Sequence, residues 1–338
     1  ITPEIQSMKR TVVAVALMSI GLSAAQAQEV VVKLGGAAPL TGNQSHLGKD
    51  LENGTRLAIE EANAKGVTIG GKKVKFELVG EDDQADPRTG TTVAQRLVDA
   101  GVKGVIGHLN SGTSIPASRI YDQAGIPQVS PASTNPKLTL QNFSGVFRTI
   151  ANDVQQGTGL GKYATGALGA KRVAIIDDRT AYGQGLADET AKAVKETGGE
   201  VVAREFTTDK ATDFNAILTK IRATNPEVVF YGGMDAQAGP MVRQMKQLGI
   251  TAKFLTGDGG CSPEMIKLAG DGMSSSAYCS MPGLPLEKMP GGADFRERYK
   301  KRFNADVQVY APYAYDAAMA IITAMQKADS VEPSKYLP

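Results

Sequence analysis

The chain has 338 residues, with 37 Lys+Arg against 35 Asp+Glu, two His, two Cys and no Trp; it is 42% hydrophobic and holds 38 Gly. These proportions exclude a disordered, collagen-like or coiled-coil chain, and the length allows roughly two domains, each with its own core. A formal net charge of +2 gives no electrostatic reason to expect nucleic acid, and two His with two Cys are a poor supply for an all-protein zinc site.

The first residues read as an export signal. Met8-Lys9-Arg10 is a short basic start, Val12 to Leu22 an apolar run, and Ala25-Gln26-Ala27 a small-residue cleavage pattern. The apolar run is too short to span a bilayer, which takes about 20 residues. A buried N-terminal helix is the alternative; the three parts occurring together favour the signal. Ile1 to Ser7 precede the apparent initiator Met8 and are set aside, so residues 1–27 are upstream residues and signal peptide, and the mature chain begins at Gln28. A two-residue basic start with no Cys at the cut argues against lipid attachment. The expected location is the periplasm, which is oxidising, so Cys261 and Cys279 are expected to form a disulfide. A reactive thiol pair is the alternative, and neither Cys lies in a Cys-x-x-Cys motif.

In chain order, Val30 to Leu34 predicts a strand and Gly48 to Lys65 a helix, with Leu51, Leu57, Ala58 and Ala62 at helical spacing. Val74 to Val79 is a strand, and Asp86-Pro87 opens a helix to about Ala100. Val102 to Gly107 is a strand, Thr113 to Ala124 a helix, and Pro127 to Ser130 a strand. Asn135-Pro136 reads as a helix N-cap with Pro following. The rhythm then restarts: helix Val154 to Leu168, strand Arg172 to Ile176, helix Tyr182 to Thr197 stopped by Gly198-Gly199. Strand Glu200 to Glu205, helix Phe214 to Thr224, strand Val228 to Tyr231, helix Ala236 to Leu248 and strand Phe254-Leu255 follow. Helices Gly292 to Phe303 and Ala311 to Ala328 finish the chain.

Alternating strand and helix predicts an α/β protein with parallel sheets covered on both faces. Two such series give two doubly wound parallel-sheet lobes joined by a hinge, with crossings near Arg148-Thr149-Ile150 and Ser280-Met281-Pro282-Gly283. Lobe 1 is then 28–149 with 284–338, and lobe 2 is 150–283. A ligand is expected between them, at the C-terminal ends of strands.

Those strand ends are polar and small. Gly107-His108-Leu109-Asn110-Ser111-Gly112-Thr113-Ser114 and Ser130-Pro131-Ala132-Ser133-Thr134 both precede helix starts in the first lobe. Exposed N–H groups with Ser and Thr hydroxyls suit a small carboxylate, although simple N-capping accounts for each segment alone. The second lobe offers Asp177 to Gly183, Gly232-Gly233-Met234-Asp235 and Gly257-Asp258-Gly259-Gly260. Asp258 among glycines either accepts from a ligand ammonium or is a turn aspartate. Tyr182 either covers an apolar ligand or is a half-buried aromatic at a helix start. His108 reads as a packed or hydrogen-bonded histidine, and His46, placed in a loop, receives no role.

Read together, Ala62-Asn63-Ala64-Lys65-Gly66, Asp82-Asp83, Asp86-Pro87, Val105-Ile106-Gly107-His108, Pro116-Ala117-Ser118, Pro131-Ala132, Arg148-Thr149, Tyr182-Gly183 and Tyr231-Gly232-Gly233 carry a resemblance. In order and spacing, over nearly the whole mature chain, they resemble the periplasmic leucine/isoleucine/valine-binding proteins of ABC importers. The resemblance implies a type I periplasmic-binding-protein-like fold. It implies a ligand carboxylate held at Ser111, Ser133 and Thr134, and an ammonium held at the Ala132 carbonyl, the Thr134 hydroxyl and Asp258. It places Tyr182 as the closing residue of the second lobe and Leu47, Leu109 and Tyr310 at side-chain pocket positions. Departures are informative. Asp258 stands where Glu is frequent, and Met234 where an aromatic is common, which softens that wall. Ala85 and Asn110 stand where some members bridge cysteines, so a Cys261–Cys279 bridge is a different one. The resemblance also implies a C-terminal segment beyond Pro338 that crosses back to the second lobe.

The function so implied is capture of an aliphatic, branched-chain L-amino acid and its delivery to an ABC permease in the inner membrane, by a monomer without cofactor, catalysis or nucleic-acid partner. Urea, a short amide or an aromatic acid in the same fold is an alternative, as is a sensory role. A nucleotide-dependent enzyme is opposed by the sequence. Gly35-Gly36-Ala37-Ala38 is not G-x-G-x-x-G, no G-x-x-x-x-G-K-[ST] occurs, and no G-x-S-x-G frames a serine.

Overall fold

A computed structural model describes residues 29–274 and 276–337; the export signal read at 8–27 lies outside them. Two sheets organise the chain. The first has six strands, β1 (Val30–Ala38), β2 (Thr68–Ile69), β3 (Lys72–Asp82), β4 (Val105–Gly107), β5 (Gln128–Ser130) and β6 (Val146–Arg148), in the order β2-β3-β1-β4-β5-β6. All its pairings are parallel except β2 with β3, joined by Gly70-Gly71 at φ 59° and 71°. That two-residue turn needs left-handed backbone at both positions, which glycine adopts without strain. The second sheet holds β7 (Arg172–Asp177), β8 (Glu200–Phe206), β9 (Val228–Gly232), β10 (Lys253–Thr256) and β11 (Ala277–Cys279) in the parallel order β11-β10-β9-β7-β8. Its central strand β9, Val-Val-Phe-Tyr-Gly, is buried at every position, as a strand covered on both faces requires.

The helices are α1 (Ser45–Lys65), α2 (Pro87–Asp99), α3 (Ser111–Gln123), α4 (Asp153–Lys162), α5 (Ala181–Glu196), α6 (Asn215–Ala223), α7 (Asp235–Gln247), α8 (Pro263–Ala269), α9 (Gly292–Phe303), α10 (Ala311–Lys327) and α11 (Pro333–Tyr336). Their ends follow local chemistry. The Asp86 carboxylate accepts from the N–H groups of Arg88 and Thr89, with Pro87 opening α2. Asn152 and Gln155 form a reciprocal capping box at α4. Gly66 closes α1 in the left-handed region at φ 68°.

The chain leaves the first sheet after β6 and returns after β11, when α9 and α10 pack against α1. Arg302 pairs with Glu60 at 2.6 Å and Arg298 pairs with Glu61. Asp50 of α1 accepts from the backbone N–H groups of Gln308, Val309, Tyr310 and Ala311 at 2.8–3.0 Å, so it caps α10 from a neighbouring helix. The two crossing segments touch through Ala151 N–H to Pro282 O at 3.0 Å. One apolar cluster continues through both lobes, from Leu34, Phe76 and Ile106 to Val173, Phe230 and Leu255.

Several local expectations are corrected. The first strand runs on to Ala38, because Gly35 to Ala38 keep their pairing to β3 and Gly35 to Ala37 also pair with β4. Helix α1 begins at Ser45, which puts His46 on a helix and not in a loop. Asn135-Pro136 starts only a short 3-10 turn, Pro136–Thr139. The helix expected over Val154 to Leu168 ends in a π-helical turn, Tyr163–Ala167. Strands β2, β6 and β11 and helix α8 lie where the sequence reading placed nothing. At two or three residues each, the strands are too short to show a period.

Candidate functional site

The polar strand ends of the first sheet converge. The His108 carbonyl, just beyond β4, accepts from the hydroxyls of Ser114, Ser130 and Ser133 at 3.2, 2.8 and 3.4 Å. Ser133 also donates to the Leu109 carbonyl at 2.9 Å and lies 2.5 Å from Ser114 Oγ. The segment is held from behind. His108 is fully buried, its Nδ1 2.7 Å from Asp83 Oδ2 and its Nε2 3.0 Å from the Tyr121 hydroxyl. Arg148 donates to the carbonyls of Ser133 and Asn135, both at 2.9 Å. Ser111 opens α3, and its hydroxyl accepts from Asn135 N–H at 3.2 Å. A hydroxyl that accepts keeps its proton free to donate. The Thr134 hydroxyl is buried with no hydrogen-bond partner in the protein.

The second lobe presents Asp258 in the turn after β10. It is buried, and both carboxylate oxygens accept from tyrosines: Oδ1 from Tyr182 at 3.0 Å and Oδ2 from Tyr310 at 2.8 Å. Tyr182 stands in the first turn of α5, Tyr310 at the entry to α10, so the two donors reach one acid from opposite lobes. The backbone supports the turn. Asp258 N–H donates to Gln156 Oε1 at 3.1 Å and Gly259 N–H to the Tyr182 hydroxyl at 2.9 Å. The flanking glycines are required sterically. A Cβ on Gly257 would lie 2.3 Å from Leu186 and 2.7 Å from the Tyr182 oxygen. Burial pushes the Asp258 carboxyl above its ordinary range, against the hydrogen bonds from Tyr310, Gln156 and Tyr182 that favour its ionised form. A cation placed against it removes that penalty.

Leu47, Leu109, Ala132, Tyr182, Met234 and Tyr310 are all buried in the same apolar cluster, to which both lobes contribute. Asn110 is half-buried; its amide donates to Gln44 Oε1 at 2.8 Å, while its Oδ1 is buried with no hydrogen-bond partner. Cys261 and Cys279 are bridged, tying the segment after Asp258 to β11.

Three contributors escaped the sequence reading. Asp153, in the first turn of α4, donates its N–H to the Thr134 carbonyl at 2.9 Å, while neither oxygen of its buried carboxylate has a hydrogen-bond partner. Burial pushes that carboxyl up to about 7; the nearby Thr134 hydroxyl opposes the rise and the charge of Asp258 adds to it. Gln156, one turn on, braces the Asp258 turn and accepts from Ser280 at 2.9 Å. His46 meets Asp235 at 2.7 Å between the lobes. An acid at a helix start is ordinary, and nothing local in the sequence sets Asp153 apart.

A groove of about 690 Å³ lies at the crossings, lined by Thr149, Pro282, Phe295 and Tyr313 among others, and shares no lining residue with this cluster. Among the described residues, no group of three or more His, Cys, Asp and Glu is arranged to hold a metal ion, and no helix is long and apolar enough to cross a membrane.

Comparison with known proteins places the chain in a family. A family model described as periplasmic binding protein matches residues 31–337. An "Amino acid binding protein" of Pseudomonas aeruginosa is 38% identical over 97% of this chain and 86% of its own length. A "Leu/Ile/Val-binding protein homolog 2" of Brucella abortus is 37% identical over 89% of this chain and 80% of its own. Among solved structures, the branched-chain amino acid transporter substrate binding protein of Streptococcus pneumoniae, in complex with isoleucine, superposes with a TM-score of 0.81. It is 28% identical and covers 91% of this chain and 87% of that one.

Proposed function

Because the chain belongs to the periplasmic binding protein family, we propose that it captures an aliphatic, branched-chain L-amino acid between its lobes and hands it to an ABC permease. The observation that carries this reading is Asp258, buried at the seam and receiving one tyrosine hydroxyl from each lobe. The ammonium is assigned to Asp258, the Thr134 hydroxyl and the Ala132 carbonyl; the carboxylate is assigned to the hydroxyls and N–H groups at Ser111, Ser133 and Thr134. Leaving either end unpaired in a dry cleft costs several kcal/mol, on the order of an unmade charged hydrogen bond. Leu47, Leu109, Met234 and Tyr310 select the side chain. One methylene in such walls is worth about 1–3 kcal/mol, which gives preference among Leu, Ile and Val without exclusivity. The isoleucine held by the Streptococcus relative and the Leu/Ile/Val name of the Brucella relative support this class.

Residues 28–149 with 284–338 form one lobe and 150–283 the other, moving about the paired crossings at Ala151 and Pro282. The protein works in the periplasm as a monomer, after removal of residues 1–27, and returns its ligand chemically unchanged. Family membership and the bridged Cys261–Cys279 pair support an exported location.

A thermal-shift panel with the twenty amino acids, urea, short amides and benzoates tests the ligand class. Leucine, isoleucine and valine are expected to stabilise, by about 2.7 kcal/mol at one hundred times Kd. Stabilisation by amides or benzoates alone sinks the proposal.

A further inference from the structure

His46 adjoins Leu47 on α1, and Asp235 adjoins Met234 at the start of α7. Leu47 and Met234, two of the residues assigned to the pocket wall and one from each lobe, therefore each have one half of a polar pair as chain neighbour. His46 Nε2 lies 2.7 Å from Asp235 Oδ2, with Asp235 fully buried and the His46 side chain 25% exposed. Among the described residues, this is the sole pairing of a basic with an acidic side chain that joins the two lobes. The Ser262 hydroxyl donates to the same oxygen, while Asp235 Oδ1 is buried with no hydrogen-bond partner. A buried carboxylate satisfied on one oxygen only gains most from a neighbour bearing a full positive charge.

We propose that His46 and Asp235 form a latch, made when the lobes close and broken when they part, so that closure and ligand affinity are greatest while His46 carries its proton. The charged groups that act on His46 are Asp235 from α7, Glu264 from α8 and Asp50 from the next turn of α1, all acidic. Burial alone lowers the imidazole pKa; the hydrogen bond and charge of Asp235, with the fields of Glu264 and Asp50, outweigh it and leave the pKa above the ordinary histidine value. Opening removes Asp235 and Glu264 from reach and returns His46 toward its usual pKa. The closed form thus binds the proton more tightly. The latch is fully made below the open-form pKa and is lost as pH rises through the closed-form one.

This inference rests on the proposed closure over an amino acid, and the experiment separates the two. Leucine binding is measured by calorimetry at pH 6 and 8.5 for the wild type, H46Q and D235N, and near pH 7 in buffers of different ionisation enthalpy. The wild type is expected to weaken several-fold at the higher pH, the direction that a raised closed-form pKa requires, and to take up protons through His46 on binding. H46Q, which keeps a donor but no charge, is expected to lose the share of the pH dependence and of the proton uptake that His46 supplies, keeping only what Asp153 and Asp258 contribute. An H46Q profile matching the wild type overturns the latch. With only two histidines in the chain, the His46 resonance is assigned by its loss in H46Q and titrated directly. Should leucine, isoleucine and valine all fail to bind the wild type, the proposed function falls and the latch is decided by that titration in the presence of whichever other compound of the thermal-shift panel stabilises the protein. A His46 pKa above its value in D235N sustains it, and equal values overturn it.

Discussion

The Tyr310 hydroxyl donates to Asp258 Oδ2 at 2.8 Å across the seam between the lobes. The donor comes from a helix packed on the six-stranded sheet and the acceptor from a turn at the end of a strand in the five-stranded one. In the proposed closing motion this bond forms as the lobes meet, and it uses one oxygen of the acid assigned to the ligand. Closure and ligand recognition therefore share an atom.

Asp258→Ala is expected to reduce leucine affinity at least a hundredfold, the scale of a lost charge-assisted contact in a dry site. Tyr310→Phe removes only the cross-lobe donor and is expected to cost about tenfold. Calorimetry with circular dichroism as a fold control measures both, and unchanged affinity in Asp258→Ala removes that residue from the site.

Asp153 gives a stability signature. Its folded pKa, raised by burial to about 7, stands above the unfolded value, so the buried group is penalised when ionised. The penalty is full above pH 7 and is relieved as pH falls from 7 toward 4. Asp153→Asn is expected to be more stable than the wild type at pH 8, by at most about 4 kcal/mol, with the gain vanishing near pH 4. Urea denaturation at the two pH values checks it; a variant less stable at pH 8 contradicts it.

Gly257→Ala puts a methyl where Leu186 and the Tyr182 oxygen now stand. Displacing Tyr182 from Asp258 is expected to weaken leucine binding tenfold or more, roughly one hydrogen bond, while changing the midpoint of thermal unfolding less than a core truncation does. Wild-type affinity would show that the turn has slack.

Cys261 and Cys279, 18 residues apart, close a loop that carries α8 and the first part of β11. Replacing both with Ser is expected to lower stability by about 3 kcal/mol. Denaturation of the wild type with and without reductant should show the same loss, and no difference between the two would contradict it.

Asp50 holds the entry to α10 by accepting four backbone N–H groups. Asp50→Ala leaves those donors buried and is expected to destabilise by about 2–4 kcal/mol and to weaken ligand binding through Tyr310. A stable variant with normal affinity would contradict the assignment.

The strand and helix alternation was legible because apolar periodicity is a local property. So were the polar strand ends, where Ser111, Ser133, Thr134 and Asp258 stand among small residues. The sequence by itself determined this: two series of buried strands, with hydroxyls at the ends of the first and aspartates at the ends of the second. Tertiary structure alone decided which polar groups meet. His46 and Asp235 are 189 residues apart, and Tyr310 and Asp258 are joined only because α10 packs back on the first sheet. Asp153 and Gln156 carry no local mark; their burial comes from α4 lying against α5 at the lobe seam. Periodicity fixes which face of an element is covered, whereas partners are fixed by sheet order and crossings, and these depend on packing between segments far apart in the chain.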